Sequence, residues 1–329
     1  REQIQVLDQK ICDRIRDTYH ISFFRTNSGI YLIPEEEVSP ETMISCANIA
    51  RRIAKKLISH TCLYSPEIDR QEKMQAEILH SFHSSLENHE FQIYFQPKVN
   101  PKNRAITSAE VLVRWIRGGK MLWTPDVYIP LFEQNGFVID LDYSVYEQTF
   151  QWLRTYAGQL PEGFRISLNV SPLHFEQPQT FVQKIQELID HYGVEPSLLT
   201  FEITESTYVT NPIAVNQVIR SLQNRNIQIS MDDFGSGYSS LNTLKDLLFD
   251  EVKIDRKFLG DNLTESGRIV LQEIFHMLKR MNKSIVCEGV ETEDIAEFLM
   301  QEGCNEIQGF LYYRPMCKVD FEKLMGCGD

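Results

Sequence analysis

The chain has 329 residues, a formal net charge of −13 and seven cysteines. This length suits one large domain and a smaller one. The acidic charge argues against a general binding surface for DNA or RNA polymers, because such a surface needs a basic face. The cysteines are odd in number and form no CxxC pair. They therefore argue against a disulfide framework and favour a reducing cytoplasmic location for this fragment.

The sequence contains no signal peptide and no apolar run long enough to cross a bilayer. It opens on REQIQVLDQKICDRI, an amphipathic pattern without an initiator methionine. We therefore interpret the chain as a fragment. An upstream sensory segment, or one that anchors the full-length protein in a membrane, stays open.

Residues 1–65 predict a small unit of two helices with a hairpin between them. The apolar residues Ile4, Leu7 and Ile11 recur at helical spacing, and HISFFRTNSGIYLI follows with a turn at Asn27-Ser28-Gly29. A second helix is expected within ETMISCANIARRIAKKL. Residues 66–90 are highly charged with one apolar helical face, which predicts a linker helix.

From residue 91 onward, short β-rich runs alternate with amphipathic helices. The predicted strands are 91–99, 105–115, 164–171, 198–206, 227–233, 251–255, 283–290 and 305–310. Helical patterns such as TFVQKIQELIDHYG and SLNTLKDLLF lie between them. About eight alternations over roughly 235 residues predict a parallel α/β architecture, and favour a (β/α)8 TIM-type barrel over residues 91–329.

Polar side chains lie near the C-terminal ends of nearly all these strands. They are Glu110, Asn169, Glu202, Glu205, Asp232, Asp233, Lys253, Asp255, Glu288, Glu291 and Gln308. Since these ends meet on one face of a barrel, we expect the side chains to lie close together. Carboxylates with an amide form an oxygen site for Mg²⁺, Mn²⁺ or Ca²⁺, with enough ligands for two ions. Such a pair of ions, ~3.5–4 Å apart, activates a water and holds a phosphate that is cleaved.

Each of these residues also has a plainer interpretation. The alternatives are a solvated helix start for Glu202 and Glu205, turn and capping chemistry for Asp232 and Asp233, a surface position for Lys253, an exposed strand position for Glu110 and a turn for Asn169. No single residue decides between the two interpretations. Their joint placement at successive strand ends favours the metal site.

A set of motifs resembles those of one enzyme family. In order, they are YFQPKV, AEVLVRW, SLNVS, FEITES, MDDFGSGYSSL, EVKIDRKFL, VCEGVET and IQGFLYYRPM. Together they resemble the motifs of EAL-domain cyclic di-GMP phosphodiesterases over about residues 75–326. The resemblance implies a modified (β/α)8 barrel that hydrolyses cyclic di-GMP to linear pGpG with two Mg²⁺ or Mn²⁺ ions. It further implies inhibition by Ca²⁺ and a homodimer formed through the EAL domain.

The resemblance also assigns roles to individual residues. The implied metal ligands are Glu110, Asn169, Glu202 and Asp232 for the first ion and Asp233 for the second. The implied catalytic residues are Glu110, Lys253 beside the attacking water, Glu288 at the metal site and Glu205 as anchor of the DFGSGYSSL loop. The implied substrate-binding residues are Gln96, Leu112, Arg114, Asp255, Glu291 and Gln308.

The chain departs from the family pattern at several positions. Val111 stands where alanine is usual, Ser236 where threonine is usual and Asn305 where aspartate is common, and the segment after Trp115 lacks a histidine-proline pair. We expect Val111 to be tolerated because its side chain should point away from the face of Glu110. Asn305 puts the substrate contacts near Gln308 in doubt. None of these changes removes an implied metal ligand.

Residues 1–65 resemble the back half of a GGDEF (diguanylate cyclase) domain without its signature loop, so this fragment is not expected to make cyclic di-GMP. One alternative to an active phosphodiesterase is a catalytically impaired EAL domain that acts as a cyclic di-GMP receptor and signals to a partner. A metal-independent scaffold is another. The retained carboxylates Glu110 and Asp232 favour the enzyme, because a pure binder does not need so costly an arrangement of charges.

Overall fold

The computed structural model describes residues 2–35, 37–55, 57–235, 248–259 and 264–327. The predicted helix SLNTLKDLLF lies almost entirely outside these residues, as do Ser236 and the rest of the predicted loop after Gly235. The chain divides into two compact units, residues 1–81 and residues 82–329. No helix in the described ranges combines the length and the apolar character needed to cross a membrane.

The first unit contains a short parallel sheet. Its elements are α1 (Glu2–Tyr19), β1 (Ser28–Ile30), α2 (Pro40–Ala54) and β2 (Thr61–Leu63), and α3 (Pro66–Glu87) begins in it. Strands β1 and β2 pair in parallel, so the predicted hairpin is wrong. The glycine of the expected turn serves close packing instead, because a Cβ on Gly29 would lie 1.9 Å from the carbonyl oxygen of Ala47 in α2.

The second unit is built on a closed barrel of eight strands. Its strands are β3 (Phe91–Val99), β4 (Ile106–Arg117), β5 (Lys120–Trp123), β6 (Arg165–Asn169), β7 (Leu199–Thr204), β8 (Gln228–Phe234), β9 (Glu251–Ile254), β10 (Ser284–Cys287), β11 (Glu306–Ile307) and β12 (Met316–Cys317). The barrel order is β3-β4-β6-β7-β8-β9-β10-β11, and β11 returns to β3. Outside the closed barrel, strand β5 pairs with β4 and β12 pairs with β3, both in antiparallel direction. The predicted α/β barrel class is confirmed.

One barrel strand runs against the others. Strand β3 is antiparallel to both β4 and β11, whereas the other barrel strands pair in parallel. The expectation of a wholly parallel barrel is therefore wrong for its first strand. The connection between β3 and β4 is too short to hold a crossover helix, so these strands form a hairpin.

Helices surround the barrel. They are the end of α3, α4 (Pro125–Asn135), α5 (Val138–Tyr156), α6 (Pro178–Tyr192), α7 (Glu205–Thr210), α8 (Pro212–Gln223), α9 (Arg256–Leu259), α10 (Glu265–Arg280), α11 (Glu293–Gln301) and α12 (Lys318–Met325). Their starts carry sequence signals, since Asn211 accepts a hydrogen bond from Ala214 N and Thr264 accepts one from Gly267 N. The main apolar core lies between these helices and the outer face of the strands.

The strands separate apolar from polar side chains with a period of two residues. Outward residues such as Phe201 and Ile203 are fully buried in the core. Alternate residues line polar cavities in the barrel, one at each end. The cavity at the C-terminal end of the strands holds Glu110, Asp232, Lys253 and other predicted site residues. The barrel interior is thus polar, and its apolar core is a ring around it.

Candidate active site

Four carboxylates, three on strands β4, β7 and β8 and one directly after β10, surround the ammonium group of Lys253. Its Nζ lies 2.6 Å from Glu288 Oε1, 3.1 Å from Asp232 Oδ1 and 3.6 Å from Glu110 Oε2, and it also contacts Glu202 Oε2. Lys253 is buried in β9, and Glu202 is buried in β7, which β8 separates from β9. We call these five residues the carboxylate cluster.

Asn169 belongs to the edge of the carboxylate cluster. Its Nδ2 donates a hydrogen bond of 2.8 Å to Glu110 Oε1. The side chain itself is exposed at the end of β6. The structure thus brings together Glu110, Asn169, Glu202 and Asp232, the four residues implied as ligands of the first metal ion.

A bulge in β8 separates the two adjacent aspartates. Met231 pairs with Val252 and Phe234 with Ile254, so β8 has one extra residue at this point. Asp233 adopts a positive φ of 56°, in the left-handed region that aspartate tolerates better than most residues. Asp232 contacts Lys253, whereas Asp233 shares a hydrogen bond with Asp255. Burial raises the pKa of Asp233 to about 6, and the charges of Asp232 and Asp255 add to this effect.

Burial and charge act against each other in the carboxylate cluster. Burial raises the pKa of Glu110 above its ordinary value and that of Glu288 to about 8, although Lys253 opposes both shifts. For Glu202, the burial effect is outweighed by Lys253 and Lys98, which lower its pKa to about 2. Burial would lower the pKa of Lys253, but Asp232, Glu110 and Glu202 raise it well above its ordinary value. The cluster therefore holds a cationic lysine among partly uncompensated carboxylates.

The donor atoms of the carboxylate cluster suit a hard divalent cation. Within the described ranges, no group of three or more His, Cys, Asp and Glu side chains is arranged as a metal site. The carboxylates converge on Lys253 instead. Their chemistry nevertheless fits Mg²⁺ or Mn²⁺, which bind carboxylate and amide oxygens. Among the described residues, the four carboxylates form ion pairs with two ammonium groups, those of Lys253 and Lys98, and such a buried excess of carboxylates favours a cation.

A cavity of about 220 Å³ opens above the carboxylate cluster. It is lined by Gln96, Glu110, Leu112, Asp232, Lys253, Arg256, Glu288, Gly289, Glu291, Gln308, Gly309 and Phe310. Gln308 donates from Nε2 to Glu110 Oε2 at 2.6 Å and to Gln96 Oε1 at 3.1 Å. Its Oε1 is buried and has no partner among the described residues. This oxygen is an unsatisfied buried acceptor in a side chain of the cavity wall.

Some predicted substrate-binding residues lie outside this cavity lining. Arg114 Nη1 donates to the carbonyl oxygen of Val113 at 2.8 Å, and its guanidinium lies over the ring of Tyr94 at 5.9 Å from the ring centre. Asp255 Oδ1 accepts a hydrogen bond of 2.7 Å from the backbone nitrogen of Lys257. Contacts of Arg114 and Asp255 with substrate stay predictions.

Glu205 lies at the start of α7, as the plainer interpretation expected, but it is only 2% exposed. Its Oε2 accepts a hydrogen bond of 2.9 Å from the backbone nitrogen of Gly235. Gly235 has a φ of +90°, and a Cβ at this position would lie 1.4 Å from the ring of Phe258. Glu205 thus fixes the backbone where β8 ends. The rest of the loop that it is predicted to anchor lies outside the described residues.

Two of the departures from the family pattern can be placed. Val111 is 2% exposed and belongs to the apolar core, while Glu110 lines the cavity, so its side chain points away as expected. Asn305 precedes β11, where its Oδ1 accepts a hydrogen bond of 2.9 Å from Ile285 N. It lines the cavity at the N-terminal end of the strands. Asn305 and Gln308 line opposite ends of the barrel, so the structure gives no reason to doubt the predicted contacts of Gln308 on account of Asn305.

Sequence reasoning missed four residues of the cavity wall, which are Gly289, Gly309 and the two with large side chains, Arg256 and Phe310. Phe310 is 46% exposed, and the guanidinium of Arg314 lies 4.2 Å from its ring centre. Arg256 lies opposite Glu291, with Nη1 and Oε1 3.2 Å apart. The available signals were an aromatic residue two positions after Gln308 and an arginine directly after a strand that ends at the site.

The family description "EAL domain" matches residues 79–315, more than half of the chain. The chain belongs to the EAL domain family. It is 32% identical over 316 residues to the bifunctional diguanylate cyclase/cyclic di-GMP phosphodiesterase MucR of Pseudomonas aeruginosa, which covers 94% of this chain and 46% of MucR. It is also 32% identical over 242 residues to the probable cyclic di-GMP phosphodiesterase PdeG of Escherichia coli K12, covering 73% of this chain and 48% of PdeG.

A solved EAL domain structure has the same fold. The PaMucR phosphodiesterase in complex with c-di-GMP superposes with a TM-score of 0.70 at 34% identity. The match covers 74% of this chain and 99% of that one. The present chain, in contrast, spans about half the length of MucR and PdeG.

Proposed function

We propose that this EAL domain hydrolyses one phosphodiester of cyclic di-GMP to give linear pGpG. The carboxylate cluster supports this proposal most strongly, because four acidic side chains, three from separate strands and one directly after a fourth strand, meet one buried lysine at the floor of a cavity. Membership of the EAL domain family, relatives named as cyclic di-GMP phosphodiesterases and a similar structure with c-di-GMP support the choice of substrate.

The reaction adds water to phosphorus. The oxygen of the water forms a bond to the phosphorus, the bond from phosphorus to the 3′-oxygen breaks, and the leaving oxygen takes up a proton. The product pGpG then carries the phosphate at its 5′ end. Lys253 Nζ donates a hydrogen bond to Glu202 and lies 3.1 Å from Asp232 Oδ1 and 2.6 Å from Glu288 Oε1. Because an ammonium group has three N–H bonds, Lys253 donates to the attacking water or to a phosphate oxygen in exchange for one of these contacts.

EAL phosphodiesterases are metal-dependent. We assign Glu110, Asn169, Glu202 and Asp232 as the side chains that would hold one cation and Asp233 as a ligand of a second. A bound divalent ion lowers the pKa of a water and neutralises the negative charge of the phosphate. Glu205 keeps the end of β8 in place through Gly235 N. Glu288 completes the carboxylate cluster beside Lys253.

The cavity wall supplies substrate contacts. A volume of about 220 Å³ is below the ~300–1,000 Å³ typical of sites for drug-sized ligands, so it encloses only the reacting part of a dinucleotide. Gln308 offers its unpartnered Oε1 to a donor on the ligand. Phe310 presents an exposed ring at the wall, on which a guanine can stack. We assign Gln96, Leu112 and Glu291, which line the same cavity, as further contacts.

A receptor without catalytic activity is the less favoured function. Binding alone does not require four buried carboxylates around one lysine, and such groups are costly to bury. The inhibition by Ca²⁺, the choice between Mg²⁺ and Mn²⁺, the homodimer and an upstream sensory segment stay predictions from the family resemblance. A reducing, cytoplasmic setting is supported by the seven free cysteines.

We also propose that residues 1–65 derive from a diguanylate cyclase domain and that residues 66–90 link it to the barrel. The sequence match to the bifunctional MucR covers 94% of this chain and thus extends beyond residues 79–315. The parallel pairing of β1 and β2 across α2 is a βαβ unit, as expected for part of a larger α/β domain.

The test is an incubation of the purified chain with cyclic di-GMP and Mg²⁺ or Mn²⁺, with products resolved by chromatography. We expect pGpG to appear only when a divalent ion is present and to be absent after addition of EDTA. Tight binding of intact cyclic di-GMP without any product would instead establish the receptor.

A further inference from the structure

A second buried lysine contacts the carboxylate cluster from the side of the N-terminal ends of the strands. Lys98 lies in β3 and is 1% exposed. Its Nζ donates hydrogen bonds of 2.8 Å to Glu202 Oε1 and 2.8 Å to Ser167 Oγ. The other oxygen of Glu202 contacts Lys253. The two oxygens of this buried carboxylate are therefore held by two different lysines.

The two lysines lie on different sides of Glu202. Lys253 lines the cavity at the C-terminal end of the strands, where we place the substrate. Lys98 lines the separate cavity of about 260 Å³ at the N-terminal end. Since Lys98 does not line the cavity at the C-terminal end of the strands, it does not contact a ligand in that cavity. Any effect of Lys98 on that ligand has to pass through Glu202.

Glu202 needs this partner for electrostatic reasons. It is 1% exposed and has the carboxylates of Glu110 and Asp232 around the same lysine, so without compensation its negative charge would be costly to keep. Lys98 supplies a positive charge and a hydrogen bond to one oxygen only. This arrangement fixes the plane of the carboxylate and leaves its second oxygen directed to the cluster.

We propose that Lys98 is a positioning residue, which holds one oxygen of Glu202 and orients this carboxylate, and thereby sets the affinity of the carboxylate cluster for a divalent cation. The inference rests on the proposed function, in that Glu202 is assigned there as a metal ligand. It predicts a loss of cation affinity in a variant whose altered side chain touches neither the cation nor the substrate.

The experiment measures binding of Mn²⁺ alone to the nucleotide-free protein by titration calorimetry. Lys98→Met removes the charge at nearly constant length, and Lys98→Gln removes the charge but keeps a donor. Lys283→Met is the control for loss of a lysine charge away from the carboxylate cluster, because Lys283 is only partly buried, precedes the barrel strand β10 and faces Asp250 rather than the cluster. We expect the Kd for Mn²⁺ to rise roughly tenfold or more in Lys98→Met, as for other residues that orient metal ligands, and to stay unchanged in Lys283→Met.

The outcomes separate the inference from the proposed function. If the wild-type chain binds no Mn²⁺, the assigned metal ligands are wrong and the inference falls with them. If the wild-type chain and folded Lys98→Met bind Mn²⁺ with the same Kd, the metal site stands and the inference is overturned. A purely structural role for Lys98 would lower the Tm without changing that Kd. If Lys98→Met does not fold, Lys98→Gln decides by the same comparison.

Discussion

Gln308 Nε2 donates a hydrogen bond of 2.6 Å to Glu110 Oε2, which joins the residue directly after the last barrel strand to the second strand across the floor of the cavity. Because the Oε1 atom of Gln308 is buried without a partner, the same amide also offers an acceptor to a ligand. Gln308→Ala removes both functions. We expect kcat/KM for cyclic di-GMP to fall by roughly 10- to 100-fold, the loss that corresponds to one or two hydrogen bonds.

Steady-state kinetics on purified Gln308→Ala checks this expectation. Gln301→Ala, at an exposed position in α11, is the control and should behave as the wild-type chain does. If Gln308→Ala kept full kcat/KM, the hydrogen bond to Glu110 would have no role in the reaction.

Substitution of Phe310 tests whether a guanine base of the substrate stacks on the cavity wall. Its ring is 46% exposed and lies under the guanidinium of Arg314. Base stacking on an aromatic ring contributes about 1–3 kcal/mol, so we expect Phe310→Ala to raise KM by roughly 5- to 100-fold. Phe310→Tyr keeps the ring and should retain most of the affinity. Equal KM values for the alanine and tyrosine variants would contradict stacking.

Substitution of Gly235 tests how much the close packing at the end of β8 contributes to stability. Its φ is +90°, and a Cβ would lie 1.4 Å from the Phe258 ring. Gly235→Ala therefore adds a steric clash to backbone strain, and we expect a lower Tm and a loss of stability of roughly 1–3 kcal/mol or more. Gly118→Ala separates the two effects, because Gly118 also has a positive φ, of 58°, but no atom lies within 4 Å of the added Cβ. Equal Tm losses in the two variants would show that the contact with Phe258 contributes nothing.

The carboxylate of Glu90 makes the stability of the fold depend on pH. It accepts hydrogen bonds from Arg117 Nε at 2.9 Å and from Trp115 Nε1 at 3.1 Å. The hydrogen bond from Arg117 lowers the pKa of Glu90 below its ordinary 4.5. Because the pKa is lower in the folded state, the stabilisation is fully present above 4.5 and is lost as the pH falls through the folded pKa.

Urea unfolding of the wild-type chain and of Glu90→Gln checks the sign. The glutamine does not titrate, so the difference in free energy of unfolding between the two proteins should shrink between about pH 6 and about pH 3. A difference that stays constant over this range would show that the charge of Glu90 does not stabilise the fold.

Much of the barrel follows from local sequence patterns. Strand β3 was predicted with its observed bounds, because apolar residues on its outer face repeat with the period of a strand. Its antiparallel direction was missed, although the short connection to the next predicted strand was a signal. The parallel pairing of β1 with β2 was missed because the sequence around Gly29 predicts a turn. In the fold, Gly29 lies in β1 and allows it to pack closely against α2.

The site residues could be predicted from the sequence where a polar residue lies near the C-terminal end of a strand. Glu110, Glu202, Asp232 and Lys253 meet as expected, because the C-terminal ends of parallel strands converge. Lys98 was missed because it lies within β3 and not at a strand end. The sequence does not show which face of this strand points into the barrel, so the role of a charged residue there could not be inferred. The direct contact of Lys253 with all four carboxylates depends on side-chain geometry, which spacing does not contain.

The most direct test of the account measures turnover and binding of cyclic di-GMP side by side for the wild-type chain and for Glu110→Ala. Glu110 contacts Lys253, Asn169 and Gln308, so its removal should disable the cluster while most of the cavity wall remains. We predict pGpG from the wild-type chain, and no product but measurable nucleotide binding from Glu110→Ala. Unchanged turnover in Glu110→Ala would contradict the assignment of catalysis to the carboxylate cluster.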